Sequence, residues 1–379
     1  MTFVYILGLL IPIASLGYQA LALWSVFRFR ATPTASAAFP GITVIKPIHG
    51  LDAQLHDNLR SFCEQDYREF QIIFAVASDS DPALPVIRDL LNEYARLDLS
   101  LVVSDRRIGS NNKISNVNNG AQEAKHDLLV IADSDMRVGR DYLRAIAKAF
   151  EAADVGAATC LYTGSAVGSL ASNLGCMYIN ESFLPSILVA LRMEPLRFCF
   201  GATMAVRRSA LDAIGGFTQL GNYLADDYML GKLVSERGYR VALAPVVVEN
   251  IVQEESLSEL LRHELRWART VRTVRPGGYA LSVLTQTVVL ASFAVLLCRT
   301  GLAGWAILAN AVALRVALHY LVRRRFKLDR PSPQWIPLRE LMNFSVWIAS
   351  FLGNNVEWRG SNFAVADDGQ MVKNEVVNS

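Results

Sequence analysis

Residues 127–135 read DLLVIADSD: five apolar side chains, Leu128 to Ala132, run into Asp133, Ser134 and Asp135. An unbroken apolar run of this length has no polar face. It is the signature of a strand buried on both sides. Such a strand delivers two carboxylates at its carboxyl end, where open α/β sheets bind their ligands. Two aspartates one residue apart both reach a hard divalent cation, which takes oxygen ligands and bridges to substrate phosphates. Taken alone, Asp-Ser-Asp reads first as a turn with a helix-capping residue. Its surroundings decide between the two.

Working outward, strands are predicted over 42–48, 71–77 and 99–103. The turn His49-Gly50-Leu51-Asp52 leads into a helix ending near 65, and Ser78–Pro82 into a helix ending near 96. A polar loop over 109–112 precedes Lys113 and a helix to about 124. Strands alternating with helices to residue 150 specify an α/β fold with βαβ units and a parallel sheet. Further strands are predicted over 156–163, 202–207 and 240–248, and helices over 226–237 and 256–274. Between them, 169–191 is mostly apolar with only Glu181 charged. It reads as a helix at a membrane surface or against the core.

The composition is too apolar for an ordinary soluble enzyme: 52% hydrophobic, 19% charged, mean hydropathy +0.26. The excess sits at the two ends. Residues 3–26 carry no charge, a length that spans a bilayer, and Arg28 and Arg30 follow at once. No positive charge precedes the run, so it reads as an uncleaved anchor over 1–27, despite the small residues Ala35-Ser36-Ala37. The positive-inside rule places the chain after Arg30 in the cytoplasm. Two further runs, 280–298 and 302–322, are separated by Arg299 and a Gly-containing turn. Arg315 inside the second faces other helices or the interface, and Arg323-Arg324-Arg325 with Lys327 marks a return to the cytoplasm. The segment 341–352 is too short to span unless it borrows residues around Arg339 and Glu340. The predicted organisation is an anchor, a short linker over 32–40, a catalytic domain over 40–275, membrane helices over 280–352 and a polar tail over 353–379. A net charge of +2 gives no field for nucleic acid. Five cysteines without a C-x-x-C pair read as reduced, mostly buried thiols.

Among polar residues, Asp81 follows the second strand and reads as a turn residue before Pro82, or as a carboxylate for a base or ribose at the same sheet edge as Asp133. Lys113 is a solvated lysine or a charge for a nucleotide diphosphate. Of Asp226-Asp227, adjacent on a helix, only one aims into a common site. Asp227 is the candidate general base, against the plainer reading of an acidic first helical turn. His263-Glu264-Leu265-Arg266-Trp267 suggests H-E-x-x-H, but Trp267 occupies the second histidine's place and the zinc-protease reading fails. Arginines at 262, 266, 269, 272 and 275 form a drifting basic stripe, of which snorkelling at an interface explains the later members. There is no Walker A motif and no G-x-G-x-x-G after a strand.

In this order, ITVIKPIHG (42–50), LRSFCEQDY (59–67), SDPA (80–83), NNKISN (111–116), VIADSDMRV (130–138), FGATMAVRRSALDAIGGF (200–217), LADDYMLGK (224–232) and HELRWARTVR (263–272) resemble the family 2/21-type GT-A glycosyltransferases, the ceramide glucosyltransferase-like group in particular. The resemblance covers nearly the whole chain. It implies a GT-A catalytic domain with a Rossmann-like mixed sheet. The family pattern D, D, D, (Q/R)xxRW falls on Asp81, Asp133 and Asp227, with Arg266 and Trp267 closing it. His263 departs from the usual Gln or Arg. That departure, with the wording of VIADSDMRV and HELRWARTVR, looks like the bacterial hopanoid-associated branch, which is associated with adding N-acetylglucosamine to bacteriohopanetetrol. By this resemblance Asp81, Lys113, Asp133, His263, Arg266 and Trp267 bind substrates. Asp133 and Asp135 hold Mg²⁺ or Mn²⁺ against a UDP-sugar, and Asp227 deprotonates a membrane-lipid hydroxyl, hopanoid or ceramide. The expected setting is a bacterial inner membrane, multi-pass, with the catalytic domain in the cytoplasm. A processive polysaccharide synthase shares these motifs but normally needs more membrane helices. A non-catalytic nucleotide-sugar-binding protein has no need of Asp227 or Arg266-Trp267.

Overall fold

The computed structural model describes residues 2–31, 39–298, 301–328, 333–358, 361–366 and 369–373. Most of the linker predicted over 32–40 lies outside them, as do Ala35-Ser36-Ala37 and Arg299. Eight strands form one sheet: β1 Ile42–Pro47, β2 Phe70–Val76, β3 Asp98–Val103, β4 Leu128–Ala132, β5 Met136–Arg137, β6 Val155–Ala166, β7 Thr203–Arg207 and β8 Arg240–Val252. Their order is β3-β2-β1-β4-β7-β6-β8-β5.

Every residue of β4 is buried. Leu128, Val130 and Ala132 enter one apolar cluster, while Leu129 and Ile131 enter another. A strand alternates its side chains between faces, so two cores require the continuous apolar run that the sequence shows. β4 pairs parallel with β1, Ile45 opposite Ile131, and antiparallel with β7, Ala132 opposite Thr203. The sheet is therefore parallel in its first half, where helices Leu55–Cys63, Leu84–Glu93 and Asn112–Ala121 make the crossovers, and mixed beyond it. The strand order reverses between β1 and β4, the point at which open sheets leave a crevice at the strands' carboxyl ends. Lys46 of β1 and Asp133 after β4 lie at that edge. β8 runs four residues past the predicted end at 248, because its second half pairs with β5, Met136 opposite Asn250.

The chain divides into two units. One comprises Arg30–Tyr162, Leu196–Gln253 and Phe363–Ser379 and holds the core of the sheet. The other comprises Met1–Phe29, Thr163–Pro195 and Glu254–Asn362. Parts of the span 40–275 thus fall in the second, helical unit.

Among the described residues, the helical unit has three helices long and apolar enough to cross a membrane: Gly8–Arg28, Leu170–Met193 and Gly301–Phe326. Inside Leu170–Met193 a π-helical turn, Ile179–Phe183, separates Leu170–Tyr178 from Leu184–Met193. Of its window 61% is buried, against 33% and 22% for the other two, so this helix packs chiefly on protein. Across the predicted run 280–298, Pro276–Thr285 and Thr287–Leu296 meet at 67°, a broken span or a re-entrant loop. The segment predicted as 341–352 begins at Ile336 and ends at Ser350, and it is not one of the candidate spans. Arg315 faces other helices as expected: it is 2% exposed and pairs with Glu181 at 2.8 Å and Glu340 at 2.7 Å. The tail beyond 353 forms strands Asn355–Trp358, Ser361–Val365 and Met371–Lys373. In the sheet unit, Met371 donates its N–H to the Asn222 carbonyl at 2.8 Å. The four cysteines whose side chains are described, Cys63, Cys160, Cys176 and Cys199, are buried.

Candidate active site

The buried end of β4 hands its chain to Asp133 at the crevice. Lys113, on the first turn of Asn112–Ala121, reaches Asp133 Oδ1 at 2.8 Å and Asp226 Oδ2 at 3.4 Å. That helix starts where it does because Asn111 caps it, its side-chain oxygen accepting the Ile114 N–H at 3.0 Å. Such a cap contributes about 1 kcal/mol. The same amide donates to the Tyr223 carbonyl at 2.8 Å and to Asp226 Oδ1 at 3.4 Å, tying the lysine-bearing helix to the aspartate loop. Gly109 makes this approach possible: a Cβ there would stand 2.2 Å from the Gly221 carbonyl oxygen. Burial opposes charge on Lys113, but Asp133 and Asp226 outweigh it and hold the ammonium protonated well above its ordinary range.

Asp226 and Asp227 begin the helix Asp226–Glu236. Asp227 Oδ1 accepts the Tyr228 N–H at 2.8 Å. Burial, then repulsion from Asp226, pushes the Asp227 carboxyl up to about 7, although Lys113 pulls the other way. Burial also raises Asp226, which Lys113 partly offsets. The adjacent pair differs in its partners: Asp226 engages Lys113 and Asn111, and Asp227 has no ion-pair partner among the described residues.

Asp135 accepts from Asn250 Nδ2 at 2.9 Å through Oδ2, and β5 fixes this register beside β8. Its Oδ1 is buried with no hydrogen-bond partner among the described residues. Burial raises the carboxyl to about 7, and Asp133 and Asp52 add repulsion. Asp52 itself accepts from Ser134 Oγ and, at 3.3 Å, from Gln253 Nε2. Beneath the turn, Lys46 Nζ donates to the Asp133 carbonyl at 2.5 Å.

An orphaned carboxylate oxygen beside a second, partly open carboxylate is chemistry that suits a hard divalent cation. Asp133 and Asp135 therefore fit one. Among the described residues no three His, Cys, Asp or Glu side chains gather to hold a metal, so further ligands would come from the substrate and water.

Asp81 lies after β2 and is 7% exposed. Its carboxylate accepts the Gly50 N–H at 3.1 and 3.2 Å and the Ala83 N–H at 2.9 Å, with His49 Nδ1 at 3.6 Å. The turn reading of this residue is realised in the structure. Gly50 presents its N–H from φ +77, where an L side chain is strained.

His263, Arg266 and Trp267 lie on Leu257–Val274, in the helical unit, apart from the sheet-edge residues in the division of the chain. His263 Nδ1 meets Glu254 Oε1 at 2.5 Å, and its ring packs 4.2 Å from that of Trp267. Tyr178 stacks on Trp267 at 6.1 Å. Burial works against charge on Glu254, yet His263 holds its carboxyl below the usual range, with Arg266 contributing.

Sequence reasoning missed Lys46, Asp52, Asn111, Asn250 and Glu254. Lys46 had left a signal, a lone charge in the apolar run ITVIKPI. Asn250 had none, because its role follows from the β5–β8 register.

The chain matches known glycosyltransferases at several levels. The profile described as Glycosyl transferase family 21 matches residues 7–371. Ceramide glucosyltransferase 3 of Caenorhabditis elegans is 25% identical over 98% of this chain and 81% of its own length. The ceramide glucosyltransferase of Pyricularia oryzae is 23% identical over 93% of this chain and 92% of its own. In fold, the chain is similar to a mannosyltransferase from Pyrobaculum calidifontis solved with GDP-Man and Mn²⁺, with TM-score 0.57, 18% identity, and 92% and 98% of the two chains covered. The expected GT-A-like mixed α/β fold is thereby borne out, as is a sugar-transferring enzyme with apolar helices suited to a membrane. With its match running almost from end to end, this chain belongs to glycosyl transferase family 21.

Proposed function

We propose that the protein is an inverting glycosyltransferase that moves a sugar from a UDP-sugar to the hydroxyl of a membrane lipid, with Asp227 as general base. The observation that carries this reading is Asp227 itself: a carboxylate without a cation partner, raised to about 7, one residue from the Asp226–Lys113–Asp133 chain of contacts. A base poised near neutrality combines enough ionised form with enough basicity to accept a proton in the transition state. The acceptor oxygen attacks the anomeric carbon from the face opposite the diphosphate as its proton passes to Asp227. The bond to UDP breaks with its electron pair leaving on the diphosphate, and no covalent intermediate forms.

Lys113 supplies positive charge for the diphosphate, and Asp81 completes the donor side by stiffening the His49–Gly50 turn. Asp133 and Asp135 would hold Mg²⁺ or Mn²⁺, whose chemistry is neutralisation of charge on the leaving group. Arg266, which closes the family pattern with Trp267, neutralises the diphosphate, and Trp267 packs against the acceptor. His263 acts through Trp267, which its ring packs against.

For the acceptor, the wording around Asp133 and His263 favours bacteriohopanetetrol with N-acetylglucosamine as donor sugar, and with it a bacterial inner membrane and a cytoplasmic active site. A second reading, glucosylceramide synthesis from UDP-glucose, is favoured by the ceramide glucosyltransferases of Caenorhabditis elegans and Pyricularia oryzae that align along most of the chain. Purified protein in detergent with Mg²⁺ or Mn²⁺, offered each donor with each lipid, separates them by mass spectrometry. N-acetylglucosaminyl-hopanoid is the expected product; glucosylceramide would overturn the acceptor and keep the mechanism. No product from any pair would remove the catalytic reading for these lipids.

A further inference from the structure

We propose that Lys46 is a buried counter-charge that sets how the sheet edge divides its affinity between a divalent cation and a nucleotide diphosphate. The inference rests on the metal and donor roles proposed above and adds a positioning residue to them. Lys46 is the one charged residue in 42–48, a strand of Ile, Thr, Val and Pro, and it is fully buried. Burying an ammonium is costly unless something in the site uses it. Within the packing the ammonium meets the Phe62 ring face, its Nζ 3.7 Å from the centroid in a cation–π contact, and a methionine would fill the same space without the charge.

What the ammonium faces is the underside of the Asp133-Ser134-Asp135 turn. Nζ donates to the Asp133 carbonyl, and Asp133, Asp135 and Asp52 all attract it. Lys113 differs: its charge is matched directly by two carboxylates. Lys46 has no ion-pair partner among the described residues, so its field reaches whatever binds above the turn. A cation bound there is repelled by that field, and a diphosphate is attracted. Lys46 thereby weakens metal binding to the empty edge and strengthens binding of the anionic donor, so that cation and donor load together.

The test uses the full chain purified in detergent, with Lys46→Met and with Lys46→Gln, which keeps a donor for the Asp133 carbonyl but no charge. Mn²⁺ binding is read by electron paramagnetic resonance, and UDP binding at saturating Mn²⁺ by calorimetry. Both variants are expected to bind Mn²⁺ alone at least about fivefold more tightly and UDP at least about fivefold more weakly, the scale of one charge acting across several ångströms of partly buried protein. A hydrogen-bonding clamp cannot give shifts of opposite sign. Weakening of both ligands together, or wild-type behaviour of Lys46→Gln, would overturn the counter-charge role while leaving the metal reading intact. Failure of the unsubstituted protein to bind Mn²⁺, with or without UDP, would overturn the metal reading and this inference with it. If Lys46→Met does not fold, as its melting curve reports, Lys46→Gln alone carries the comparison.

Discussion

Two clusters of buried charge occupy the two units of this chain, and they are built on opposite plans. In the helical unit each carboxylate meets a cation: Glu264 takes both terminal nitrogens of Arg339 at 2.7 Å, Glu181 takes Arg315 and His319 at 2.8 Å, and Glu340 takes Arg315 at 2.7 Å. At the sheet edge, Asp133 and Asp226 share Lys113, while Asp135 and Asp227 have neutral partners, the Asn250 amide and the Tyr228 N–H. The first plan gives each of its carboxylates a basic side chain within the fold and so holds helices together. The second leaves negative charge over, a cost that a fold retains where a ligand or a reaction uses it. Both clusters are buried and polar, and only the one left unbalanced is a candidate for chemistry.

Removing the base should give the largest separation between them. Asp227→Asn is expected to lower turnover by about 10²–10⁴, with UDP binding within a few fold of wild type. Steady-state product formation and UDP calorimetry measure the two. A loss of UDP affinity as large as the loss of turnover would reassign Asp227 to donor binding.

The helical cluster should answer in stability. Arg339→Met leaves Glu264 buried without its bidentate partner, a change that costs about 3–5 kcal/mol. Thermal unfolding in detergent should fall steeply. The double variant Arg339→Met with Glu264→Met should recover much of the loss, because packed apolar groups replace a buried pair at little cost. If the single variant unfolds like wild type, the pair does not fasten these helices.

Asp135→Asn should run the other way. Its carboxyl is raised in the fold, so its contribution to stability is complete below the unfolded carboxylate pKa near 4 and is lost as pH rises through about 7. At pH 8 the neutral amide removes that penalty, and roughly 1–3 kcal/mol of added stability is expected, together with loss of Mn²⁺ binding. Equal stability of the two proteins at pH 5 and at pH 8 would show that Asp135 carries no such strain.

How far the sequence disclosed this contrast follows from the range of the interactions. β4 was legible because a strand buried on both faces must be apolar throughout, and Asp133 and Asp135 because they follow it directly. Asp227 and Lys113 were legible as residue types at helix starts, but the tie between the Lys113 helix and Asp226 through Asn111 depends on Gly109 meeting Gly221, over a hundred residues apart. The Asp135–Asn250 contact depends on strand register. In the helical unit, Arg315 announced itself by interrupting an apolar run, whereas its partners did not: Glu181 is delivered by a π-helical turn and Glu340 by a helix that begins earlier than its apolar residues suggest. The broken helix at 276–298 was hidden because composition reports hydrophobicity and not a 67° bend.

The smallest predicted effect is also the most direct reading of the unbalanced edge. Activity needs Asp227 ionised, so kcat/KM should rise about tenfold per pH unit below 7 and level off above it, the free enzyme's base controlling that limb. The limb should vanish with the residual activity of Asp227→Asn. It should also move when the surroundings of Asp227 change while its charge partners do not. A Cβ at Gly201 would stand 3.3 Å from Asp227 Oδ2, displacing solvent from that oxygen. Desolvation disfavours the ionised form, so Gly201→Ala should shift the limb upward by about half a pH unit. The substitution leaves Lys113, Asp226 and Asp133 untouched. A limb that stays in place would mean that the charges around Asp227 set its basicity, with repulsion from Asp226 ranking ahead of burial as the cause of its raised carboxyl.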